Sequence, residues 1–309
     1  MPELPEVETV RRGLVAHLEG RLVDQAWVHH PRAARRHDLG PAHLEQWLRG
    51  RRITAVDRRG KYLWCVLDAA PASVGSDVLV AHLGMSGQFR VTDERLEAHP
   101  HLRLDLHLDD GRWLSFLDQR TFGGVAGDVL AVDAEGVRAV PTRLAHLGAD
   151  PFEPVFDARA AAGRIRRRHT EVKRALLDQT LVSGIGNIYA DESLWRTRVH
   201  PRRVTDRLSR AVLTSQLDAA RDVMAEALEK GGTSFDALYV DVNGSSGYFE
   251  RSLDVYGRED APCHRCGTPV RRLSFMNRSS YVCPRCQRGP RATTGAPGKV
   301  SGAAATPSG

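Results

Sequence analysis

Apolar residues recur at helical spacing from the start of the chain. Val7, Val10, Leu14 and Leu18 follow Pro5, and Gly20 stands where a helix would stop. The period then shortens to two. In HLRLDLHLDDGRWLSFLD, Leu102, Leu104, Leu106 and Leu108 alternate with Arg103, Asp105 and His107. That pattern predicts a half-buried strand with its polar residues facing water. Asp110-Gly111 predicts a hairpin, with residues 113–117 as the return strand. KYLWCVLD (61–68) and SDVLVAHLGMSGQFRV (76–91) read as further strands. Residues from about 20 to 135 therefore predict an antiparallel sheet domain, a sandwich.

Beyond Pro151 and Pro154 the helical period returns. TEVKRALLDQTLVSGIGNIYADESLW (170–195) holds two helical runs broken by Gly184-Ile185-Gly186. A third helix is expected over 211–230, with Leu213, Leu217, Val223, Met224 and Leu228 on one side and Gly231-Gly232 ending it. A glycine-rich polar stretch, DVNGSSGY, covers 241–248, and four cysteines follow between 263 and 286. Residues 288–309 are rich in Gly, Ala, Pro, Ser and Thr and carry no predicted site. The expected class is α+β and multidomain. The divisions are an N-terminal β-sandwich domain with a long initial helix (2–135), a helical domain (136–250), a cysteine ribbon (251–287) and a tail (288–309).

Composition narrows the partner. The chain has 309 residues and a net charge of +6, a balance that suits a polyanion such as nucleic acid; a general arginine bias is the competing explanation. Hydrophobic residues make up 41% of the chain, enough for a real core. No apolar run approaches membrane-spanning length, and no secretory leader pattern opens the chain, so a cytoplasmic protein is expected.

Cys263-His264-Arg265-Cys266 and Cys283-Pro284-Arg285-Cys286 form two CxxC knuckles. Two such turns close a tetrahedral four-sulfur zinc site with no open position for catalysis, and His264 is surplus to it. Cys65 lies in an apolar run and reads as a small buried hydrophobe. The segment VRRLSFMNRSSYV between the knuckles predicts a hairpin carrying Arg278, either a solvated charge or a phosphate contact. Ser183-Gly184-Ile185-Gly186-Asn187 is a tight turn with Asn187 where an N-cap belongs. It is either a well-capped turn or a phosphate grip, and Lys173 with the basic run 164–168 favours DNA backbone binding.

Removal of Met1 would leave Pro2 with a secondary amine, a nucleophile able to form an iminium ion with an aldehyde-like sugar carbon. Glu3 and Glu6 supply carboxylates for proton transfer, and Lys61 supplies a cation. The alternative is a stiff N-terminal lead-in. The loops at 82–87 and 118–124 present His82, Met85, Arg120 and Phe122 among glycines. Met85, Arg120 and Phe122 are core residues in a bend or, if exposed, wedges for opening a base stack, and His82 is a candidate DNA contact.

PELPEVET, GKYL, HLGMSG, the RxFGG loop, GIGNIYADE, VYGR and the paired CxxC ribbon occur in this order. Together they resemble the bacterial formamidopyrimidine-DNA glycosylases (8-oxoguanine DNA glycosylase/AP lyases) over about residues 2–287. The resemblance implies a β-sandwich, a helix–two-turn–helix domain and a zinc ribbon, with DNA in the cleft between them. It implies Pro2 as Schiff-base nucleophile, Glu3 as general acid/base, and Lys61 at the lesion and its phosphate. Asn187 and Arg278 would grip the flanking phosphates. Met85, Arg120 and Phe122 would fill the vacated stack, and residues 239–248 would cover the flipped purine. One structural zinc, a monomer, and double-stranded DNA with oxidised purines or abasic sites, met at the nucleoid, complete the expectation. The chain departs from the pattern at Thr121, where many members carry a second basic residue, at Gln119, where many carry proline, and at Ser86, where some carry glutamate. The rival readings are an endonuclease VIII-type enzyme for oxidised pyrimidines and a zinc-ribbon DNA-binding protein without catalysis.

Overall fold

The computed structural model describes residues 2–68, 76–133, 136, 138–231 and 253–290. The glycine-rich stretch expected to cover a flipped base, and the tail beyond 290, lie outside these residues.

Helix α1 (Leu4–Leu18) forms where the apolar spacing places it. Pro5 sits in the first turn, where a missing N–H costs nothing, and Glu6 reaches back to accept the Glu3 N–H at 2.7 Å. Val7, Val10, Leu14 and Leu18 enter the sandwich core, whereas Leu4 packs into the core of the helical half. One helix thus joins two cores.

The sandwich has two antiparallel sheets. One orders β1 (Val23–Val28), β6 (Leu102–Leu108), β7 (Trp113–Asp118) and β5 (Gly87–Thr92). The other orders β2 (Ile53–Arg59), β3 (Tyr62–Leu67), β4 (Asp77–His82), β8 (Gly124–Val132) and β9 (Ala139–Pro141). Leu104, Leu106 and Leu108 face inward as the alternation requires, against Leu63, Cys65 and Leu79 of the opposite sheet. Helix α2 (Gly40–Leu48), which the sequence reading did not identify, adds Leu44 and Leu48 to this core.

Two expectations change. Asp105 is fully buried, not solvated, because Arg95 (2.7 Å) and His29 (3.0 Å) pair with it. The Arg95 guanidinium in turn lies over the stacked rings of Trp27 and Trp113. The sheet also runs past residue 135, since β9 pairs with β8 and Val140, Leu144 and Leu147 cover the outer face at Trp64 and Val80.

The helical half contains α3 (Ala158–Arg166), α4 (Val172–Leu177), α5 (Asn187–Arg196) and α6 (Arg210–Glu229). Asp157 caps α3 and Ser209 caps α6 through their side chains. Strands β10 (Arg271–Phe275) and β11 (Arg278–Val282) form the expected hairpin. A buried charge network ties the halves together. Arg58 bonds Glu8 at 3.0 Å and Asp150 at 2.8 Å, and Arg59 bonds Asp133 and Glu153 at 2.8 Å each.

Lys173 corrects the sequence reading. It is fully buried and pairs with Asp191 at 2.7 Å, with Ser279 O of the ribbon at 3.4 Å. Its charge serves the junction of α4, α5 and the ribbon and faces no solvent. Asp191 also accepts from Ser280 Oγ and the Tyr281 N–H. Breaking one side of such a pair strands a buried charge. Lys173→Ala is therefore expected to lower stability by about 3–5 kcal/mol in urea unfolding followed by tryptophan fluorescence; a loss under about 1 kcal/mol, the range of a solvated pair, would show that the junction does not depend on this ion pair.

Candidate active site and nucleic-acid interface

Glu3 sits where the two halves meet. It is 3% exposed. Its Oε1 accepts the Ile188 N–H of α5 at 3.1 Å, so a carboxylate from α1 caps the N-terminus of a distant helix. Its Oε2 is buried and finds no hydrogen-bond partner among the described residues. The Leu4 N–H donates to Gly184 O at 3.3 Å, and Tyr189 Oη donates to Glu6 at 2.8 Å. Pro2, at the head of this segment, is buried.

The glycine turn makes the approach possible. A Cβ on Gly186 would stand 2.1 Å from the Glu3 carboxyl carbon, and one on Gly184, at φ +92°, would stand 2.4 Å from Leu4. Gly186 is the N-cap of α5, and Asn187 is its first helical residue. Asn187 was expected at the cap; Glu3 takes the capping role instead, because only a glycine at 186 lets its carboxylate reach the helix amide. Asn187 turns to the ribbon, donating to Ser279 O at 3.0 Å beside Arg278. Its Oδ1 is buried with no hydrogen-bond partner among the described residues.

Lys61 reaches the same turn from the sandwich, donating to Ile185 O at 3.0 Å. The preceding Gly60 is at φ +56°, and its N–H donates to the buried Asp150 at 2.9 Å. A Cβ there would meet Ser183 at 2.8 Å. Gln179 braces the other side, accepting from Gly184 N and donating to Ile185 O. Burial pushes the Glu3 carboxyl above its ordinary range, opposed by the Lys61 ammonium and the Ile188 N–H. Burial pulls Lys61 down, with Glu3 opposing and Arg278 assisting. A carboxyl raised and an ammonium lowered in one water-poor corner are both brought closer to the proton affinity that acid–base work on a bound reactant needs.

The wedge candidates project from two loops that touch. Met85 is 37% and Phe122 45% exposed, and Arg120 is exposed with its guanidinium 5.4 Å from the Phe122 ring centre. Asp118 organises both loops. It accepts from Ser86 Oγ at 2.6 Å, the Arg120 N–H at 3.2 Å and the Gly123 N–H at 2.7 Å. Ser86 thereby holds the loop base. Arg35, which the sequence reading missed, clamps the outer backbone, donating to Thr121 O, Phe122 O and Gly123 O at 3.1, 2.7 and 2.7 Å. These contacts hold Thr121 at φ +54°. His82 accepts the Gly84 N–H through Nδ1, and burial with nearby Arg36 and Lys61 pulls its pKa down to about 4. It is therefore a neutral ring near pH 7 that offers its Nε2–H.

The four cysteine sulfurs of the knuckles lie within 4.8 Å of one another. That spacing matches sulfurs sharing one zinc at about 2.3 Å each, and among the described residues no His, Asp or Glu joins them. Trp195 Nε1 donates to Cys263 Sγ at 3.3 Å, and buried Gln287 ties the Cys283 N–H to Val199 O. Cys263, Cys266, Cys283 and Cys286 thus form a structural zinc site at the base of the hairpin.

Comparison with known proteins agrees with this arrangement. Residues 1–125 match the formamidopyrimidine-DNA glycosylase N-terminal domain, 147–237 the H2TH domain of the same proteins, and 261–289 the zinc finger found in FPG and IleRS. The chain is 58% identical to the formamidopyrimidine-DNA glycosylase of Mycobacterium avium (strain 104) over 292 residues, covering 94% of this chain and all of that one. It is 58% identical to that of Rhodococcus jostii (strain RHA1), covering 94% and 97%. Among solved structures, the MutM (Fpg) protein of Thermus thermophilus superposes with TM-score 0.77 at 38% identity, covering 94% of this chain and all of that one. Lactococcus lactis Fpg in complex with DNA containing an abasic site gives 0.78 at 29% identity, covering 93% and 100%.

Two substitutions test the geometry. Gly186→Ala should cut turnover at least a hundredfold, because the Glu3 carboxylate must leave Ile188; turnover within threefold of wild type would show that the cross-domain cap is dispensable. Arg35→Ala should leave melting temperature within a few degrees while weakening discrimination of the base opposite the lesion; unchanged discrimination would remove Arg35 from any role in the wedge.

Proposed function

The chain belongs to the formamidopyrimidine-DNA glycosylase family, is a DNA glycosylase with a structural zinc site, and from that premise we propose a bifunctional action on oxidised purines. Duplex DNA lies across the cleft between sandwich and helical half. Asn187 and Arg278 hold phosphates beside the lesion, with His82 as a further donor. Met85, Arg120 and Phe122 enter the stack as 8-oxoguanine or a formamidopyrimidine swings out, at a cost of a few kcal/mol.

Processing of Met1 frees the Pro2 amine. Its nitrogen attacks C1′ as the glycosidic bond breaks and the base leaves with the electron pair. Glu3 delivers a proton to the opening sugar, and Lys61 steadies the negative charge that develops. The resulting iminium acidifies the C2′ proton. Its loss expels the 3′ phosphate, and a second elimination expels the 5′ phosphate, leaving a one-nucleotide gap with phosphate ends. Zinc holds the ribbon and enters no step.

One observation carries this reading. The buried Oε2 of Glu3 has no partner among the described residues while Oε1 is fixed by Ile188, so the carboxyl keeps an oriented, uncommitted oxygen next to Pro2 and Lys61. The mature protein, its mass lacking Met1, should excise 8-oxoguanine opposite cytosine faster than thymine glycol and leave phosphates at both ends of the gap. Pro2→Gly should bind the same duplex and excise at least a hundredfold more slowly. Faster release of thymine glycol would assign the pyrimidine branch, and full activity in Pro2→Gly would remove the nucleophile.

A further inference from the structure

The base of the ribbon carries a strongly charged feature that the mechanism does not use. An open groove of about 650 Å³ is lined by Arg198, Arg203, Arg265, Arg285 and Arg288 together with Cys266 and Cys286. No carboxylate lines it, and no ion pair to any of the five arginines occurs among the described residues. Arg265 is fixed in place, stacked 4.0 Å from the Trp195 ring centre and donating to Trp195 O at 3.0 Å. Arg198, Arg285 and Arg288 are exposed. A zinc with four thiolates carries roughly two negative charges, which offsets only part of five guanidiniums. Residues 288–309 contain no Asp or Glu, so the tail offers no side-chain carboxylate to neutralise the groove.

The groove lies at the opposite end of the ribbon from Arg278. Strand β11 begins at Arg278, ends at Val282 and is followed by Cys283. Five extended residues span roughly 16 Å. The tip and the groove therefore address different stretches of a ligand, or different ligands. The lining chemistry narrows the class. Guanidiniums match phosphodiester oxygens in fork geometry. A protein partner would call for an exposed aromatic or aliphatic anchor at the centre of its footprint. Here the aromatic beneath the groove, Trp195, is only 7% exposed.

We propose that this arginine groove is a second nucleic-acid contact, which binds the backbone of a duplex segment other than the one in the cleft. A protein with two such contacts can hold one segment while sampling the next, so the groove would act in lesion search and leave bond breaking untouched.

The test uses the full-length, zinc-loaded protein. Its cleft is first saturated with an unlabelled short duplex holding a stable abasic analogue. A fluorescent undamaged duplex is then titrated, and anisotropy is read across salt concentrations. The saturated wild type should bind the labelled duplex. The triple variant Arg198→Ala, Arg285→Ala, Arg288→Ala should bind it at least tenfold more weakly at 0.1 M salt, with a salt slope shallower by roughly 2 to 3. The matching triple lysine variant should recover most of the binding. Zinc content and single-turnover excision on a short duplex should match wild type in both variants, separating this result from any failure of the catalytic reading. The proposal is overturned if the saturated protein binds no second duplex, if the alanine variant keeps wild-type affinity and slope, or if polyglutamate binds the groove where duplex does not.

Discussion

The structure depends on one cross-domain hydrogen bond, from the Ile188 amide of α5 to the Glu3 carboxylate at the head of α1. A helix N-terminus with unsatisfied amides must find an acceptor, and here the acceptor comes from another domain. The consequence is positional. Sandwich and helical half cannot shift against each other without uncapping α5, and Glu3 cannot leave the junction without stranding the buried Ile188 amide. Gly184 and Gly186 allow the contact because any side chain there would collide with Leu4 or Glu3. Lys61 closes the same corner from the sandwich side, held by Ile185 and by the Gly60–Asp150 bond.

Three braces surround that corner, each using a different interaction. Asp118 and Arg35 fix the loops at 82–87 and 118–124 through backbone amides and carbonyls, so the exposed Met85 and Phe122 stand on a stiff base. Lys173 and Asp191 fasten α4 and α5 to the hairpin through a buried ion pair. The zinc knuckles stiffen the far end of that hairpin, with Trp195 donating to one of their sulfurs. Directional, desolvated contacts suit a DNA glycosylase that must keep its site rigid, since screened surface charges supply little rigidity.

Much of this was legible in the sequence where a local rule applies. Helix α1, the Leu102–Leu108 strand, the Asp110-Gly111 hairpin and the knuckles all follow from spacing over fewer than about thirty residues. What stayed hidden depends on contacts distant in sequence. Arg35 meets Gly123 from 88 positions away, and Glu3 meets Ile188 from 185. Lys173 read as a surface cation because nothing local announces Asp191 as its partner. Asp105 read as solvated because alternation specifies a face and not what covers that face. Asn187 matched the residue type of a cap, yet the cap came from elsewhere in the chain.

The central claim is that the reactive amine belongs to Pro2, set beside Glu3 by the cross-domain cap. The most direct measurement is peptide mapping by tandem mass spectrometry after borohydride reduction of the mature protein with abasic-site DNA. The account predicts a reduced sugar adduct on the nitrogen of the peptide beginning at Pro2. An adduct on Lys61 or another lysine, with the Pro2 peptide unmodified, would contradict it.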